Sequence, residues 1–222
     1  MTVTHLDLRA EIIATCRQLE ALGYVVGTYG NVSARVEGGL LITPSRVDYS
    51  RLQPEDIVAV SLEGAVIDGA RLPSSELQVH LQIYLRRADI GAVVHTHSLH
   101  ATALSCIHDT TPVIVEEQAQ VIGSEIRCTR YIPAGQHRQL GEEVARTLGD
   151  GMALFVANHG TVSCSRTLAE AVFTAQIVER VAEMRLLTGA LGGAISIPPE
   201  FVVSERERWL YKYGRPEDKA AG

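Results

Sequence analysis

The run GAVVHTHS, residues 91–98, carries the most information about fold and site. Its apolar half, Ala92-Val93-Val94, predicts a buried strand. Because residues two apart on a strand point to the same face, His95 and His97 project two imidazoles side by side where that strand ends. Neutral imidazoles so placed suit one metal ion. Taken alone, the run is equally compatible with two surface histidines at a strand end.

A second buried strand, predicted at 152–156, also ends near a histidine, His159. Two such strands can bring His95, His97 and His159 together. Three protein ligands with one open position are typical of a catalytic zinc site rather than a structural one. His100 is a possible fourth ligand, but its place on a following helix favours local packing. The histidines without a companion in the sequence are interpreted as structural or solvent-exposed; they are His5, His80, His108 and His137.

The rest of the chain alternates helical and extended patterns without strict βαβ order. Apolar spacing and capping residues predict helices at 6–22, from about Ser74 to Arg87, at 98–106, at 137–148, from Thr167 to Leu187 and at 204–213. Further strands are expected at 31–36, 40–42 and 57–60. The pattern indicates one α/β domain, residues 1–222, with a largely antiparallel or mixed central sheet and helices on both faces.

Composition excludes several classes of protein. A net charge of −6 gives no support for nucleic-acid binding, and no apolar run approaches the length of a membrane span. The first residues do not resemble a secretory signal, so a cytoplasmic location is expected. The four cysteines form no C-x-x-C motif and are interpreted as buried thiols rather than disulfides.

Two segments are candidate anion sites. Ser74-Ser75-Glu76 precedes a helix, and Ser75 with Gln78 fits a capping box. The alternative is that the hydroxyls and free N–H groups bind an anion, with Glu76 as a general base beside a metal. The loop at 27–33, with Thr28, Gly30 and Asn31, is a second candidate, although most glycine-rich loops are turns.

Together these segments resemble the class II aldolase/adducin-type family, and within it the branch that cleaves L-fuculose 1-phosphate. The resemblance extends from about residue 6 to 213, in the family's order. It rests on Gly30-Asn31-Val32-Ser33, Leu41-Ile42-Thr43-Pro44-Ser45, Ser74-Ser75-Glu76, His95-Thr96-His97-Ser98-Leu99-His100 and Asn158-His159-Gly160.

The resemblance implies a three-layer α/β/α fold with a mainly antiparallel sheet, and a homotetramer with active sites between subunits. It implies a sugar phosphate substrate and Zn2+, or another divalent metal such as Mn2+ or Co2+, that stabilises an enolate-type intermediate. It further assigns the residues. The metal ligands are His95, His97, His159 and Glu76, which also acts as a base; the phosphate site contains Thr28, Gly30, Asn31, Ser45, Ser74 and Ser75; and Tyr213 reaches the substrate across a subunit boundary.

The chain departs from the family pattern at two places. Arg46 stands where the aldolases have a glycine of the phosphate site, so it binds phosphate, receives a carboxylate or is only solvated. The proton-donating tyrosine of the aldolases is replaced by Glu116, with Glu117 beside it; related dehydratases use a glutamate there, and a solvated acidic turn is the alternative.

The expected function is a metal-dependent aldolase that cleaves a ketose 1-phosphate, of the fuculose, 5-deoxy or methylthio type, to dihydroxyacetone phosphate and an aldehyde. A glutamate rather than an aspartate after the two serines favours this branch. The alternatives are a dehydratase, 4-epimerase or decarboxylase of the same family, and a non-catalytic adducin-like interaction module, against which the intact histidine triad argues.

Overall fold

The computed structural model describes residues 4–214. The helices are α1 (Leu6–Ala21), α2 (Leu77–Arg86), α3 (Leu99–Ser105), α4 (Glu116–Val121), α5 (His137–Leu148), α6 (Leu168–Gly189) and α7 (Pro199–Tyr211). The strands are β1 (Asn31–Val36), β2 (Gly39–Ile42), β3 (Val58–Ser61), β4 (Val66–Asp68), β5 (Ala92–Thr96), β6 (Arg127–Cys128), β7 (Ala153–Val156) and β8 (Gly160–Ser165).

The strands form an eight-stranded sheet in the order β4-β3-β2-β1-β5-β8-β7-β6. All neighbours are antiparallel except β6 and β7. The predicted strand β5 lies in the middle, between β1 and β8. Its His95 is paired with Asn31 of β1 on one side and with Val162 of β8 on the other. The expected mainly antiparallel α/β architecture is confirmed.

Both faces of the sheet are covered by helices. On one face, α2 and α5 pack on apolar side chains such as Val93 and Val162. On the other, α1 and α6 pack on residues such as Val94, while α3 and α4 cover Phe155. Because Val93 and Val94 face opposite ways, the alternation of β5 directs His95 to the face covered by α2 and α5. The site therefore forms where these two helices begin.

Several expectations about local structure were wrong or incomplete. Helix α2 begins at Leu77, with Glu76 as a cap residue that makes no side-chain capping bond, so Ser75 and Gln78 do not form a capping box. Helix α7 begins at Pro199, five residues before the expected start. The expected buried thiols are only partly observed: all four cysteines are free, but Cys106 is exposed and Cys128 half-buried.

Strand β8 and helix α4 were missed by the sequence analysis. The strand reads GTVSCS; its first five residues are buried, but small polar residues such as Thr161 and Ser163 give no sign of this in the sequence. The threonine cap of α6 is confirmed, because the Thr167 side chain accepts from the backbone N–H of Glu170 at 3.2 Å. Within residues 4–214 no helix combines the length and apolar character needed to cross a membrane.

Candidate metal centre

Three imidazoles converge at the ends of β5 and β8. The ligand atoms offered by His95, His97 and His159 all lie within 4.8 Å of one another. The ring centroids are 4.8 to 5.0 Å apart, and each pair of rings is close to perpendicular. The structure thus brings together the three residues that spacing and resemblance had linked, although His97 and His159 are 62 positions apart in the sequence.

The hydrogen bonding of His95 suits a metal ligand. Its Nδ1 atom lies 3.0 Å from the carbonyl oxygen of Thr161, to which only an Nδ1–H can donate. In the neutral ring its Nε2 atom then carries a lone pair, and this atom lies 3.0 Å from Nε2 of His97. A backbone carbonyl that fixes the tautomer of a ligating histidine is a common feature of metal sites. A divalent cation between these nitrogens fits the donor set.

A carboxylate completes the cluster. Glu76 places one oxygen 3.2 Å from Nε2 of His95 and the other 3.1 Å from Nε2 of His159. Burial alone would raise the pKa of Glu76, but the charge of His95 and hydrogen bonds from His159 and His95 outweigh it and hold the pKa far below its usual range. Glu76 is therefore an anion at neutral pH, placed within reach of a metal bound by the histidines.

The pKa values of His95 and His97 are shifted in opposite directions. Burial opposes protonation of His95, but the Glu76 carboxylate and its hydrogen bond raise the pKa of His95 overall. Burial and the neighbouring charges of His95 and His159 lower the pKa of His97 to about 3. The cluster attracts one positive charge and resists more, as expected of a site that exchanges a proton for a metal cation.

The turn that presents His159 explains the Asn-His-Gly motif. Asn158 has φ 55°, in the left-handed region that asparagine tolerates better than most residues. There is no room for a side chain at Gly160, because a Cβ there would lie 2.4 Å from the carbonyl oxygen of Thr96. These two residues shape a tight turn between β7 and β8, so His159 is the member of the motif that faces the site.

The loop Thr43-Pro44-Ser45 and the segment Ser74-Ser75-Glu76 meet above the histidine cluster. The backbone N–H of Ser45 donates to Leu72, and the N–H of Ser74 donates to Thr43, both at 3.0 Å. These bonds hold the Thr-Pro-Ser loop beside the Ser-Ser-Glu segment, so Ser45 lies close to Ser74 without any helix or strand between them. The side chain of Ser74 accepts from the N–H of Glu76 at 3.2 Å, which fixes the end of that segment.

A cleft of about 400 Å³ opens over the cluster. Every residue predicted to bind phosphate lies along its wall. The lining includes Thr28, Tyr29, Gly30, Asn31, Pro44, Ser45, Arg46, Ser74, Ser75, Glu76, His97, Ala134, Gly135, His137 and His159. Their common location is a structural fact, while the role of each residue in binding remains a prediction.

Arg46 is unusual within this cleft. It is exposed, has φ 59° and makes no hydrogen bond or ion pair with any other residue of the described range. A non-glycine residue in the left-handed region costs roughly 1–2 kcal/mol. The backbone here has a conformation that suits the glycine implied by the family resemblance, and the Arg46 side chain places an unpaired guanidinium in the cleft.

One wall of the cleft was not predicted from the sequence. It consists of Ala134, Gly135 and His137, and His137 is the first residue of α5. Helix α5 can lie close to α2 because Gly141 faces the backbone of Gln78, where a Cβ would be 2.4 Å from the carbonyl oxygen. His137 had been treated as structural or solvent-exposed; its spacing from the other histidines gives no signal of this approach.

Three predicted catalytic residues do not line the cleft. Glu116 is exposed in the first turn of α4, and Glu117 forms a 3.1 Å ion pair with Arg180. Tyr213 is half exposed and packs against Trp209 with ring centroids 4.9 Å apart. His100 is bound by Glu179 through a 2.9 Å contact, as expected of local packing rather than metal ligation.

Comparison with known proteins identifies close relatives. Residues 10–186 match the family model described as the class II aldolase and adducin N-terminal domain. The chain is 37% identical to L-fuculose phosphate aldolase of Escherichia coli K12, across 86% of this chain and 87% of that protein. It is 36% identical to 5-methylthioribulose-1-phosphate/5-deoxyribulose-1-phosphate aldolase of Rhodospirillum rubrum, across 99% and 97%. A solved structure of an L-fuculose 1-phosphate aldolase, 30% identical, superposes with a TM-score of 0.89 and covers 92% of this chain and 97% of its own.

Proposed function

The chain belongs to the class II aldolase and adducin family, and we propose that it is a metal-dependent aldolase that cleaves a ketose 1-phosphate to dihydroxyacetone phosphate and an aldehyde. The observation that carries the proposal is the convergence of three imidazoles and the Glu76 carboxylate at the floor of a cleft lined with hydroxyls and a cation. Relatives that are aldolases of sugar phosphates match the chain over most of its length.

The metal in this proposal is zinc, with Mn2+ and Co2+ as alternatives. Three histidine nitrogens and a carboxylate suit zinc. The bound ion would supply Lewis acidity to the carbonyl and hydroxyl oxygens of the substrate. Glu76, which touches both His95 and His159, handles the proton at the carbon that becomes the nucleophile.

Phosphate binding is assigned to the cleft residues above the histidine cluster. The hydroxyls of Thr28, Ser45, Ser74 and Ser75 donate to phosphate oxygens, and Arg46 adds a charged donor. Backbone N–H groups at Gly30 and at the start of α2 can contribute as well.

The active form is proposed to be a homotetramer. Glu116, Glu117 and Tyr213 do not line the cleft of their own chain, so they act in this proposal through a neighbouring subunit. There they would serve the departing aldehyde, because the hydroxyl that becomes its carbonyl group must lose a proton as the carbon–carbon bond breaks.

The aldehyde end of the substrate is proposed to be poor in hydroxyls. Tyr29 is 67% exposed in the cleft, with its ring centroid 5.6 Å from that of His97, and Ala134 lines the wall. These surfaces suit a methyl or methylthio group better than a polyol. The relatives include aldolases named for both fuculose and methylthioribulose phosphates, so both substrates belong in the test.

The test is an assay of dihydroxyacetone phosphate release by zinc-loaded protein from fuculose 1-phosphate, 5-deoxyribulose 1-phosphate and methylthioribulose 1-phosphate. We expect activity on at least one ketose phosphate, and a loss of about 10³-fold in kcat in Glu76→Gln, which removes the base. Absence of dihydroxyacetone phosphate from all three substrates at full metal occupancy would falsify the proposal.

Arg46 supports a second candidate, a decarboxylase, dehydratase or epimerase of the same family acting on a sugar acid or sugar phosphate. An unpaired guanidinium in the cleft can receive a carboxylate as readily as a phosphate. Release of carbon dioxide from phosphorylated sugar acids, without dihydroxyacetone phosphate, would identify it. Metal below about 0.2 ion per chain after mild purification would instead favour an adducin-like interaction module.

A further inference from the structure

A series of buried polar side chains leads from Glu76 into the interior beneath α2. The amide nitrogen of Asn31 lies 2.7 Å from Oε2 of Glu76. The amide oxygen of Asn31 meets Nε2 of His80 at 2.5 Å. Nδ1 of His80 lies 2.6 Å from Oγ of Ser33, and that oxygen is 2.8 Å from the hydroxyl of Tyr84. We call Asn31, His80, Ser33 and Tyr84 the inner network.

The inner network is almost inaccessible to water. The four residues are between 0% and 4% exposed. They come from two elements that face each other, because Asn31 and Ser33 are on β1 whereas His80 and Tyr84 are one turn apart on α2. A buried polar group without a partner costs about 1–3 kcal/mol, so such a network is stable only if its donors and acceptors match throughout.

With Glu76 ionised and the His80 ring neutral, only one assignment of the hydrogens satisfies every contact. Glu76 is an anion, so the amide nitrogen of Asn31 must face it and donate. The amide oxygen of Asn31 then requires a proton on Nε2 of His80. Burial lowers the pKa of His80 to about 3, so the ring is neutral and its Nδ1 must accept from Ser33. Ser33 has then used its hydrogen, and Tyr84 must donate to it.

All four hydrogen bonds therefore point the same way, from Tyr84 through Ser33, His80 and Asn31 to Glu76. The opposite direction would turn the amide oxygen of Asn31 toward the carboxylate, where two negative oxygens would meet at 2.7 Å. We propose that His80, with Ser33 and Tyr84 behind it, is a positioning residue that locks the Asn31 amide and thereby aims the Glu76 carboxylate at the three histidines.

This inference rests on the proposed role of Glu76 at the metal. It also revises the part that Asn31 plays. The side chain was predicted to bind phosphate, but its oxygen and one amide hydrogen are committed to His80 and Glu76. The second amide hydrogen remains for the cleft, so Asn31 joins the substrate region to the inner network.

The decisive variants are His80→Leu and His80→Gln. Leucine removes the donor, so the Asn31 amide is free to rotate, whereas the glutamine amide nitrogen can replace Nε2. Partners behind the groups of a metal site commonly affect affinity or activity by about 10- to 100-fold. We expect His80→Leu to lower kcat and zinc affinity about 10-fold or more with KM changed less than about threefold, and His80→Gln to recover most of both losses.

Folding and positioning are separated by measuring the melting temperature and zinc affinity of each variant by chelator competition. Tyr84→Phe, which removes only the far end of the inner network, should lower kcat about two- to threefold. A fall in melting temperature in His80→Leu with kcat and zinc affinity unchanged in the folded protein overturns the proposal. So does an equal loss in His80→Gln and His80→Leu when both remain folded.

A third measurement does not depend on the reaction. Nitrogen NMR of histidine-labelled wild-type protein reports which ring nitrogen of His80 carries the proton, and we expect Nε2. A proton on Nδ1, or on both nitrogens, at neutral pH overturns the proposal even if the aldolase assay succeeds. If wild-type protein lacks aldolase activity, the proposed function fails, while zinc affinity and NMR still decide the inner network.

Discussion

The two sides of Glu76 differ in how completely their polar groups are paired. Toward the interior, the inner network is buried, and each of its side chains is hydrogen-bonded to another member of the network or to Glu76. Toward solvent, Arg46 has no partner within residues 4–214, and Ser75 and His137 are exposed. A paired interior favours one geometry for the carboxylate, whereas an unpaired wall leaves donors for a ligand. The contrast separates the groups that set the chemistry from those that select the substrate.

The histidine cluster lies between these two regions and should give the largest effect. His95→Ala removes the ligand that both Thr161 and Glu76 orient, so we expect metal content to fall to background and kcat/KM to fall at least about 10³-fold. Metal analysis and the aldolase assay measure the two losses. His100→Ala is the matched control because its imidazole is bound to Glu179 outside the cleft. If zinc remains bound in His95→Ala, the assignment of His95 as an essential metal ligand is wrong.

Substitution of Arg46 tests the outer region, which is the cleft wall on the solvent side of Glu76, and should have an intermediate effect. Arg46→Gly removes a charged donor to the substrate, worth about 1.5–3 kcal/mol, so kcat/KM should fall about 30-fold, mainly through KM. The same change relieves the left-handed backbone, so the free energy of unfolding should rise by roughly 1 kcal/mol.

Arg46→Asn separates the two effects because asparagine tolerates the left-handed region but carries no charge. It should match Arg46→Gly in KM and fall between glycine and arginine in stability. Denaturant unfolding and steady-state kinetics measure both quantities. Unchanged KM in both variants would mean that Arg46 is only a solvated charge. The outer region would then lack the charged ligand-binding group that distinguishes it from the inner network.

The sequence predicted elements whose signal is local. The apolar runs of β5 and β7, the threonine cap of α6 and the bounds of α5 depend on neighbouring residues, and the structure agrees with them. Strand β8 was missed because small polar residues, Thr161 and Ser163, alternate with its buried Val162 and Cys164. Its burial depends on β5 and β7, which lie on either side of it.

The candidate site shows the same limit. His95 and His97 could be paired from the alternation of one strand, and a second predicted strand suggested His159. The family resemblance then assigned His159 and Glu76 as metal ligands. His80 and His137 had been set aside because neither has a companion in the sequence. Their positions depend on how α2 and α5 pack, and Gly141 permits that packing. Such contacts are long-range and leave no periodic trace.

The smallest expected effect concerns stability and tests the inner region alone. The pKa of His80 is about 3 in the folded protein, against 6.5 for an ordinary histidine. Between these values the unfolded chain binds a proton that the folded protein does not, so the free energy of unfolding falls as the pH falls below 6.5. The slope is about 1.4 kcal/mol per pH unit for one histidine. The metal-free His80→Gln variant should therefore lose less stability than wild type between pH 6 and pH 5.

Other titrating groups act equally in both proteins. Glu76 is fully ionised in the folded state and mostly ionised above pH 5 in the unfolded state, so its small contribution is the same in both proteins. His97, whose pKa is also about 3, adds a parallel slope, and His95, whose pKa is raised, adds one of opposite sign; both cancel in the difference. Tyr84→Phe is the control because it disturbs the inner network but keeps the histidine, so its slope should match wild type. Equal slopes in wild type and His80→Gln would show that His80 is protonated in the fold, and the one-directional hydrogen bonding that distinguishes the inner region from the cleft could not then exist.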